Sequence, residues 1–186
     1  MSLLDMLTQK LEEKEGRIIE MRRYLHAHPE LSFEEEKTAQ YIADFYKDVP
    51  VDKVETNYGG GHGVVVTIKG AQPGKTIAIR ADFDALPITE ETDVAFKSTN
   101  PGVMHACGHD GHTAYMLILA ETLAELKSEL KGTIRVLHQP AEEVPPGGAL
   151  GMIKAGALEG VDHIFGIHVM SNMETGKVFY RAGNTQ

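Results

Sequence analysis

Helix-like and strand-like patterns alternate along this chain, and this alternation limits its fold more than any other feature. Residues 111–130 are apolar nearly all round in the first half of the segment, which is typical of a buried helix. Runs rich in β-branched residues lie at 63–68 and 76–81 before this segment and at 132–138 after it. The pattern therefore predicts an α/β layered domain.

Two helices are predicted before the first strand. Residues 3–28 place apolar side chains on one stripe, and Pro29 ends the pattern. Ser32 and Glu35 have the spacing of a capping box, which predicts a second helix from there to about residue 48. Its buried face is predicted to comprise Tyr41, Ile42 and Phe45.

The remaining segments predict an edge strand, a long loop and three closing elements. The short polar run 51–56 is typical of an edge strand, and 147–158 of a small Gly/Ala-rich helix. Residues 161–169 and 177–181 are predicted to form the last strands. No periodic pattern appears in 83–104, and a loop of that length in a compact domain is usually functional.

Composition and charge exclude several classes of protein. The chain has 186 residues, and 27 acidic against 18 basic side chains give a net charge of −9. This balance, without a Lys/Arg cluster, argues against nucleic acid as a partner. The longest apolar run, 114–120, is far shorter than the roughly 18 residues of a membrane span, and the first residues lack a signal-peptide pattern. With one cysteine, Cys107, we expect a reducing compartment, the cytoplasm.

Residues 105–112 hold three histidines and the cysteine, the richest group of metal-ligand types in the chain. In an extended conformation His105, Cys107 and His109 would project to one face. Thiolate and imidazole donors together suit zinc or another borderline transition metal. A buried structural cysteine beside capping histidines is the alternative. The density of histidines next to glycines favours the metal site.

Two adjacent glutamates follow the strand predicted at 132–138. Neighbouring prolines hold Glu142 and Glu143 extended, so their side chains should point in different directions. One could then ligate a metal while the other faces the substrate as general base. A solvated acidic loop is the alternative, and the pair alone does not decide between the two.

Other candidate residues follow strands, where open α/β sheets usually place their sites. Asp82 and Asp84 leave the strand at 76–81 on one face, although loop capping and pairing with Arg80 would also explain them. His168 lies within an otherwise apolar strand pattern. A lone histidine there is more often a hydrogen-bonded core residue than a ligand.

Five motifs occur together and in order. They read RRYLH with PELS over 22–32, RADFDALP over 80–87, HACGHDGH over 105–112, QPAEE over 139–143 and GIH over 166–168. This set resembles the M20 metallopeptidase family, in its amidohydrolase branch of hippurate hydrolases, N-acyl-amino-acid deacylases, N-acetyl-diaminopimelate deacetylases and plant auxin-conjugate hydrolases. The resemblance runs from about residue 22 to residue 181.

The resemblance implies a role for each matching residue. Four positions match metal ligands: Cys107, His109, Glu143 and His168. Cys107 takes the position that bridges two metals in the family. Glu142 matches the general base that activates the attacking water, and Asp84 matches an aspartate that orients a ligand. Two divalent ions are implied, of zinc, manganese, nickel or cobalt.

The resemblance also implies a function and a domain organisation. The function is a metal-dependent amidohydrolase that cleaves the amide bond of N-acyl amino acids or related small molecules by attack of metal-bound hydroxide. Full members of the family are about twice this length and insert a lid and dimerisation domain after the position of Arg181. We therefore expect residues 1–186 to be the amino-terminal part of an incomplete α/β/α catalytic domain that holds at most one ion. The parent enzyme is expected to be a homodimer or larger, with no membrane partner.

Two other functions stay open. A catalytically silent metal-binding fragment would carry the same motifs. A Cys–His nucleophilic enzyme that uses Cys107 is the third alternative, but it leaves Glu142, Glu143 and His168 without a role.

Overall fold

The chain forms one five-stranded sheet with helices on both faces. A computed structural model describes residues 1–183. The strands are β1 (Lys53–Tyr58), β2 (Gly63–Lys69), β3 (Gln72–Asp82), β4 (Lys131–Gln139) and β5 (His163–Gly166). The helices are α1 (Leu3–Glu13), α2 (Glu15–Ala27), α3 (Glu36–Phe45), α4 (His109–Glu125) and α5 (Gly148–Lys154). Within residues 1–183, no helix combines the length and the apolar character that crossing a membrane requires.

The sheet has the order β1-β2-β4-β3-β5, and its second half is parallel. β2 pairs antiparallel with β1 and β4, whereas β3 pairs parallel with β4 and β5. Asp82 at the end of β3 is in register with Gln139 at the end of β4, and Arg80 is in register with Gly166 of β5. The carboxyl ends of three strands therefore meet at one edge, where open α/β sheets bind their ligands.

Two hydrophobic cores lie on opposite faces of the sheet. Successive side chains of β2 alternate between them, since Val64 and Val66 enter one core and Val65 enters the other. The larger core contains side chains of α2, α3 and α4, including Leu25, Ile42, Leu117 and Ile118. The smaller core contains Met152 of α5. The predicted α/β/α layering and the buried helix are both confirmed.

The helix predicted over residues 3–28 is two helices. Lys14 ends α1 with φ −102° and ψ 3°, and α2 begins at the next residue. The Lys14 ammonium lies 3.0 Å from a carboxylate oxygen of Glu121 and 2.7 Å from one of Glu125, both on α4. The break therefore lies where the chain is tied to the buried helix.

The predicted capping box is wrong. Ser32 donates its hydroxyl to Asp84 Oδ2 at 2.7 Å, and Glu35 Oε1 accepts from the backbone N–H of Ala141 at 2.6 Å. α3 begins one residue after Glu35, without a side-chain cap, and a 3₁₀ turn follows it at Tyr46–Asp48. Both polar side chains serve distant segments, which a local pattern cannot reveal.

The carboxy-terminal predictions are wrong in part. β5 is four residues long, shorter than the predicted 161–169, and α5 ends before residue 158. Residues 177–181 form no strand in the part of the chain that the structure describes. Val178 and Tyr180 are 89% and 94% exposed. Strand propensity depends on pairing and burial, and these side chains have neither.

The long loop predicted over 83–104 is confirmed as irregular. It runs between β3 and α4 and is tied by single backbone pairings of Leu86 with Met104 and of Ala85 with Leu31. These pairings hold the loop against the carboxyl edge of the sheet.

A buried hydrogen bond between Tyr46 and His138 gives a test of the packing of α3 on the sheet. The Tyr46 hydroxyl lies 2.8 Å from His138 Nε2, and burial lowers the pKa of His138 to about 3, so the ring is neutral. Tyr46→Phe leaves that nitrogen without a partner, and we expect a loss of about 1–3 kcal/mol in the free energy of unfolding. Urea unfolding measures this loss. Tyr180→Phe, at an exposed position, is the control, and an equal loss in both variants would contradict the prediction.

Candidate metal centre

Histidines, carboxylates and the one thiol cluster at the carboxyl edge of the sheet. Within each of three sets the donor atoms lie within 4.8 Å of one another. The sets are Cys107, His109 and His168; His109, Glu142 and Glu143; and Asp82, His109 and His112. The structure thus brings together all the residues predicted as ligands, and it places the predicted base beside them.

His109 is the first residue of α4 and belongs to all three sets. Its Nδ1 donates to the backbone carbonyl of Asp84 at 2.9 Å. Because a carbonyl oxygen only accepts, Nδ1 carries the proton and Nε2 keeps its lone pair. Nε2 is buried 3.8 Å from Glu143 Oε1, and neither atom has a hydrogen-bond partner among residues 1–183. A cation held between them would satisfy both.

His168 has the same tautomer as His109. Its Nδ1 lies 2.6 Å from the carbonyl oxygen of Val169, and its Nε2 lies 3.4 Å from Cys107 Sγ. The residue follows β5 and is exposed, so it is not the core strand residue that the apolar pattern allowed. Nε2 would therefore be available to a metal ion held beside Cys107.

His112 differs from these two histidines because both of its ring nitrogens are in use. Nδ1 lies 2.6 Å from Asp82 Oδ1, and Nε2 accepts from the backbone N–H of Val169 at 3.0 Å. Arg80 also contacts Asp82, at 2.5 Å, so the pairing that the sequence left open as an alternative is present for Asp82. No role was assigned from the sequence to the pairing of His112 with Asp82. This pairing fixes His112, which holds the backbone next to His168 through the N–H of Val169.

Asp84 lies beneath the cluster and contacts two of its members. Oδ2 accepts from the hydroxyl of Ser32 at 2.7 Å and from the backbone N–H of Glu143 at 3.0 Å, and Oδ1 lies 3.3 Å from His109 Nδ1. Burial opposes ionisation, but these hydrogen bonds outweigh it and hold the pKa of Asp84 well below its usual range. The anion thus lies against His109 and the backbone of Glu143, and its role in orienting a ligand stays a prediction.

The two adjacent glutamates differ in burial. Glu142 is exposed, whereas the side chain of Glu143 is 19% exposed and its Oε1 is buried against His109. Ala141, just before them, has a φ of +48°, a left-handed conformation that costs a non-glycine residue about 1–2 kcal/mol. At this turn the chain changes direction between the end of β4 and the two glutamates.

The cluster carries more negative charge than its histidines balance. Burial, together with Glu143 and Glu142, raises the pKa of Cys107 to about 12. Burial disfavours the charged form of His109, but Asp84, Asp82 and Glu143 raise its pKa overall. Surroundings that keep a thiol protonated and favour a histidinium also favour a metal cation.

The prediction that His105 shares a face with Cys107 and His109 is wrong. Gly108 has a φ of +86° at the start of α4, and a Cβ there would lie 2.5 Å from a methyl carbon of Val169. This turn redirects the chain, and His105 belongs to none of the three donor sets. It is buried, and burial lowers its pKa to about 4.

A cavity of about 550 Å³ opens beside Cys107 and His168. Other side chains that line it include His26, Glu90, Phe96, Met104 and His105. A larger cavity of about 840 Å³ lies between the turn at 59–61 and α5, and none of the predicted ligands lines it. The smaller cavity is therefore the space from which a small molecule can reach the cluster.

Comparison with known proteins decides the family. The sequence model of Peptidase family M20/M25/M40 matches residues 78–183, more than half of the chain. This chain belongs to the M20/M25/M40 peptidase family.

Relatives with more specific descriptions agree with this assignment. The N-acyl-L-amino acid amidohydrolase of Geobacillus stearothermophilus is 48% identical over 168 residues, which cover 90% of this chain and 45% of that enzyme. The crystal structure of Bacillus subtilis YXEP protein, a dinuclear metal-binding peptidase from the M20 family, has a TM-score of 0.81 and 45% identity, covering 87% of this chain and 45% of that one. A crystal structure of a protein from methicillin-resistant Staphylococcus aureus has a TM-score of 0.92 and 65% identity. The match covers 95% of this chain and 45% of that one. The M20 chain thus spans less than half the length of these relatives.

A buried polar network lies beside the donor cluster of this M20 chain, and it was not predicted from the sequence. His26 Nδ1 lies 2.8 Å from Asp110 Oδ2, and His26 Nε2 lies 3.1 Å from Glu90 Oε1. Arg22 also donates to Asp110 Oδ2, at 2.8 Å. The network joins α2, the long loop and the first turn of α4. Two of its members, Arg22 and His26, lie in the RRYLH motif. The motif was recognised in the sequence, but its residues were assigned no role.

This network predicts a pH-dependent contribution to the stability of the M20 chain. The hydrogen bond with Asp110 raises the pKa of His26, and Glu90 adds to this effect while burial opposes it. A raised histidine pKa stabilises the fold below the unfolded pKa of about 6.5, and this contribution is lost as pH rises through the folded pKa.

We expect His26→Gln to lower the free energy of unfolding more at about pH 6 than at about pH 9, because only the charged ring gains from its two carboxylates. Urea unfolding in the presence of a chelator measures this at both pH values. His28→Gln is the control, since His28 is exposed and contacts the Tyr24 carbonyl. The same loss at both pH values would show that the charge of His26 contributes nothing.

Proposed function

We propose that this chain carries the metal site of an amidohydrolase that cleaves the amide bond of N-acyl amino acids or related small molecules. One observation carries the proposal: His109 Nε2 and Glu143 Oε1 are buried without partners in the described residues, 3.8 Å apart, beside Cys107 and His168. Family membership supports hydrolysis, and the N-acyl-L-amino acid amidohydrolase of Geobacillus stearothermophilus supports this class of substrate.

Four residues would hold the metal: Cys107, His109, Glu143 and His168. Their thiol, imidazole and carboxylate donors suit zinc, cobalt, nickel or manganese. Both histidines offer Nε2, because Nδ1 of each donates to a backbone carbonyl. In the whole enzyme two ions would be held, with Cys107 among their ligands, and the dinuclear description of the Bacillus subtilis relative supports the number of ions.

Divalent ions at such a site supply Lewis acidity, which favours attack of water on an amide carbonyl. Glu142 is exposed, and we assign it to take the proton from the attacking water and to pass it to the leaving amine. Asp84 accepts from His109 Nδ1 at its backbone carbonyl and from the backbone N–H of Glu143 at its carboxylate, so one residue orients two proposed ligands. The approach for substrate is the 550 Å³ cavity beside Cys107.

A Cys–His nucleophile would use the same two side chains in another way, since His168 Nε2 lies 3.4 Å from Cys107 Sγ. Such chemistry needs a thiolate, which nucleophilic cysteines obtain through a lowered pKa. Burial and the neighbouring glutamates instead raise the pKa of Cys107 to about 12. Without a cation, nothing in the described cluster supplies the thiolate that a nucleophile needs, whereas a bound divalent ion would itself deprotonate a coordinating thiol. This supports a metal ligand over a nucleophile.

The wider organisation of the protein is also proposed. We propose that the chain forms the amino-terminal part of a catalytic domain in a cytoplasmic enzyme that assembles as a homodimer or larger. The partial span supports the first of these proposals, because the matched residues make up 90% of this chain but only 45% of the Geobacillus stearothermophilus relative.

The unequal burial of the two glutamates predicts unequal effects of their substitution. Glu143→Gln should weaken metal binding by about tenfold or more, because it removes a charged ligand atom that lies against His109. Glu142→Gln should keep the metal but lower turnover of an N-acetyl amino acid by about 10²-fold or more, as expected for a lost general base. Calorimetric titration with Zn²⁺ measures binding to this chain. Turnover is measured in this chain or in a longer protein that contains it, and equal loss of metal in both variants would refute the assignment.

The donor count predicts the metal content of the isolated chain. Four ligands complete one tetrahedral site, so we expect at most about one Co²⁺ per chain, with a thiolate-to-cobalt absorption band. Cys107→Ser should abolish the band, whereas Ser171→Ala, a neighbour in the same cavity, should leave it unchanged. Cobalt bound without a thiolate band would indicate that Cys107 is a structural cysteine.

A further inference from the structure

A buried glutamate outside the proposed ligand set contacts the backbone that carries Glu142 and Glu143. Glu35 is 0% exposed, directly before α3. Its Oε1 accepts from the backbone N–H of Ala141 at 2.6 Å, across a separation of 106 residues in sequence. Its neighbours Glu34 and Glu36 are exposed. Burial of a carboxylate is costly unless it has specific partners. Oε1 has Ala141 as its partner, whereas Oε2 is buried without a hydrogen-bond partner in the described residues.

Ala141 is fixed by hydrogen bonds on both sides of its α-carbon. Its N–H donates to Glu35, and its carbonyl accepts from the backbone N–H of Gly148 at 3.0 Å. Between these two bonds the residue has a φ of +48°, in the left-handed region that disfavours alanine. A non-glycine residue stays in such a conformation only where its surroundings impose it.

The left-handed turn sets the direction of the two residues that follow. Beyond it, the backbone N–H of Glu143 reaches Asp84 Oδ2 at 3.0 Å, and Glu143 Oε1 reaches within 3.8 Å of His109 Nε2. Glu142 faces solvent. If Ala141 returned to an extended or right-handed conformation, the chain would leave it in another direction and these contacts would be lost.

We propose that Glu35 is a positioning residue, which holds Ala141 in its left-handed conformation and thereby aims Glu143 at His109 while Glu142 stays exposed. The inference rests on the proposed metal function for its consequence, since the aimed carboxylate is a proposed ligand. The hydrogen bond and the left-handed turn do not depend on that function.

Two isosteric variants separate the acceptor from the volume of the side chain. Glu35→Gln keeps a carbonyl oxygen that can accept from Ala141, and Glu35→Met fills similar space without a hydrogen-bond acceptor of comparable strength. Glu34→Ala is the control for an acidic residue removed next to the site.

Nuclear magnetic resonance of the metal-free chain tests the backbone directly. In Glu35→Met, the Ala141 chemical shifts should leave the range typical of positive φ, and its amide should exchange with solvent at least about tenfold faster. Glu35→Gln and Glu34→Ala should match the wild type. Unchanged Ala141 shifts and exchange in Glu35→Met would overturn the proposal, whether or not the chain binds metal.

Zinc titration tests the consequence for the site. Glu35→Met should weaken zinc binding by about 10–100-fold, the usual cost of losing a group that orients a ligand. Adding Ala141→Gly should regain at least about a third of that loss on a logarithmic scale, because glycine adopts positive φ without strain. If Glu35 only fills space in the core, Ala141→Gly regains nothing, and that result refutes a positioning role.

The outcomes for the two proposals are distinguishable. A wild-type chain that binds no zinc contradicts the proposed metal function, and the resonance measurement alone then decides the role of Glu35. A wild-type chain that binds zinc, with Glu35→Met within about threefold of its affinity, contradicts the positioning role and leaves the metal function standing. Should Glu35→Met fold poorly, the double variant with Ala141→Gly should recover both folding and the left-handed conformation at position 141, and failure to do so counts against the proposal.

Discussion

The parallel pairing of β3 with β4 and with β5 is the constraint on which the candidate site depends. It brings the carboxyl ends of three strands to one edge of the sheet. The segments that follow residues 82, 139 and 166 therefore start close together. The connection from β3 to β4 includes α4, whose first residue is His109 and whose side chains are largely buried. Because α4 packs into the larger core, its first turn has a fixed position over that edge. The hydrophobic core thereby positions the candidate site, although none of the donor residues of that site is apolar.

Hydrogen bonds to backbone carbonyls then determine what each histidine can do. His109 and His168 donate from Nδ1 to carbonyl oxygens, which leaves Nε2 of each with a lone pair. His112 accepts a backbone N–H at Nε2 and is thereby removed from the set of free ligands. The three neighbouring histidines therefore differ, because Nε2 of His109 and of His168 can bind a cation and Nε2 of His112 cannot. A list of donor residues alone would not separate them, but their tautomers do.

Much of this could be predicted from the sequence, and the limit has a physical cause. Alternating patterns predicted the layers, and donor types after strands predicted where the candidate residues lie. The resemblance to the M20 family then implied Cys107, His109, Glu143 and His168 as the ligands. Ser32 and Glu35 were misassigned because their spacing fits a local cap, while their partners lie 52 and 106 residues away. The network around His26 was missed for the same reason. Contacts that join distant segments leave no periodicity in either segment.

The contacts around His109 show why the donor cluster destabilises the fold when no cation is bound. Asp84, Asp82 and Glu143 crowd His109, and two atoms that face each other, His109 Nε2 and Glu143 Oε1, have no partner in the described chain. Each such atom costs about 1–3 kcal/mol of folding free energy, which the cores on both faces of the sheet must offset. A metal that binds only the folded state removes this cost, and it adds a stabilisation that grows with the logarithm of metal concentration. The residues that would make the site reactive are therefore also those that would couple the stability of the fold to its metal.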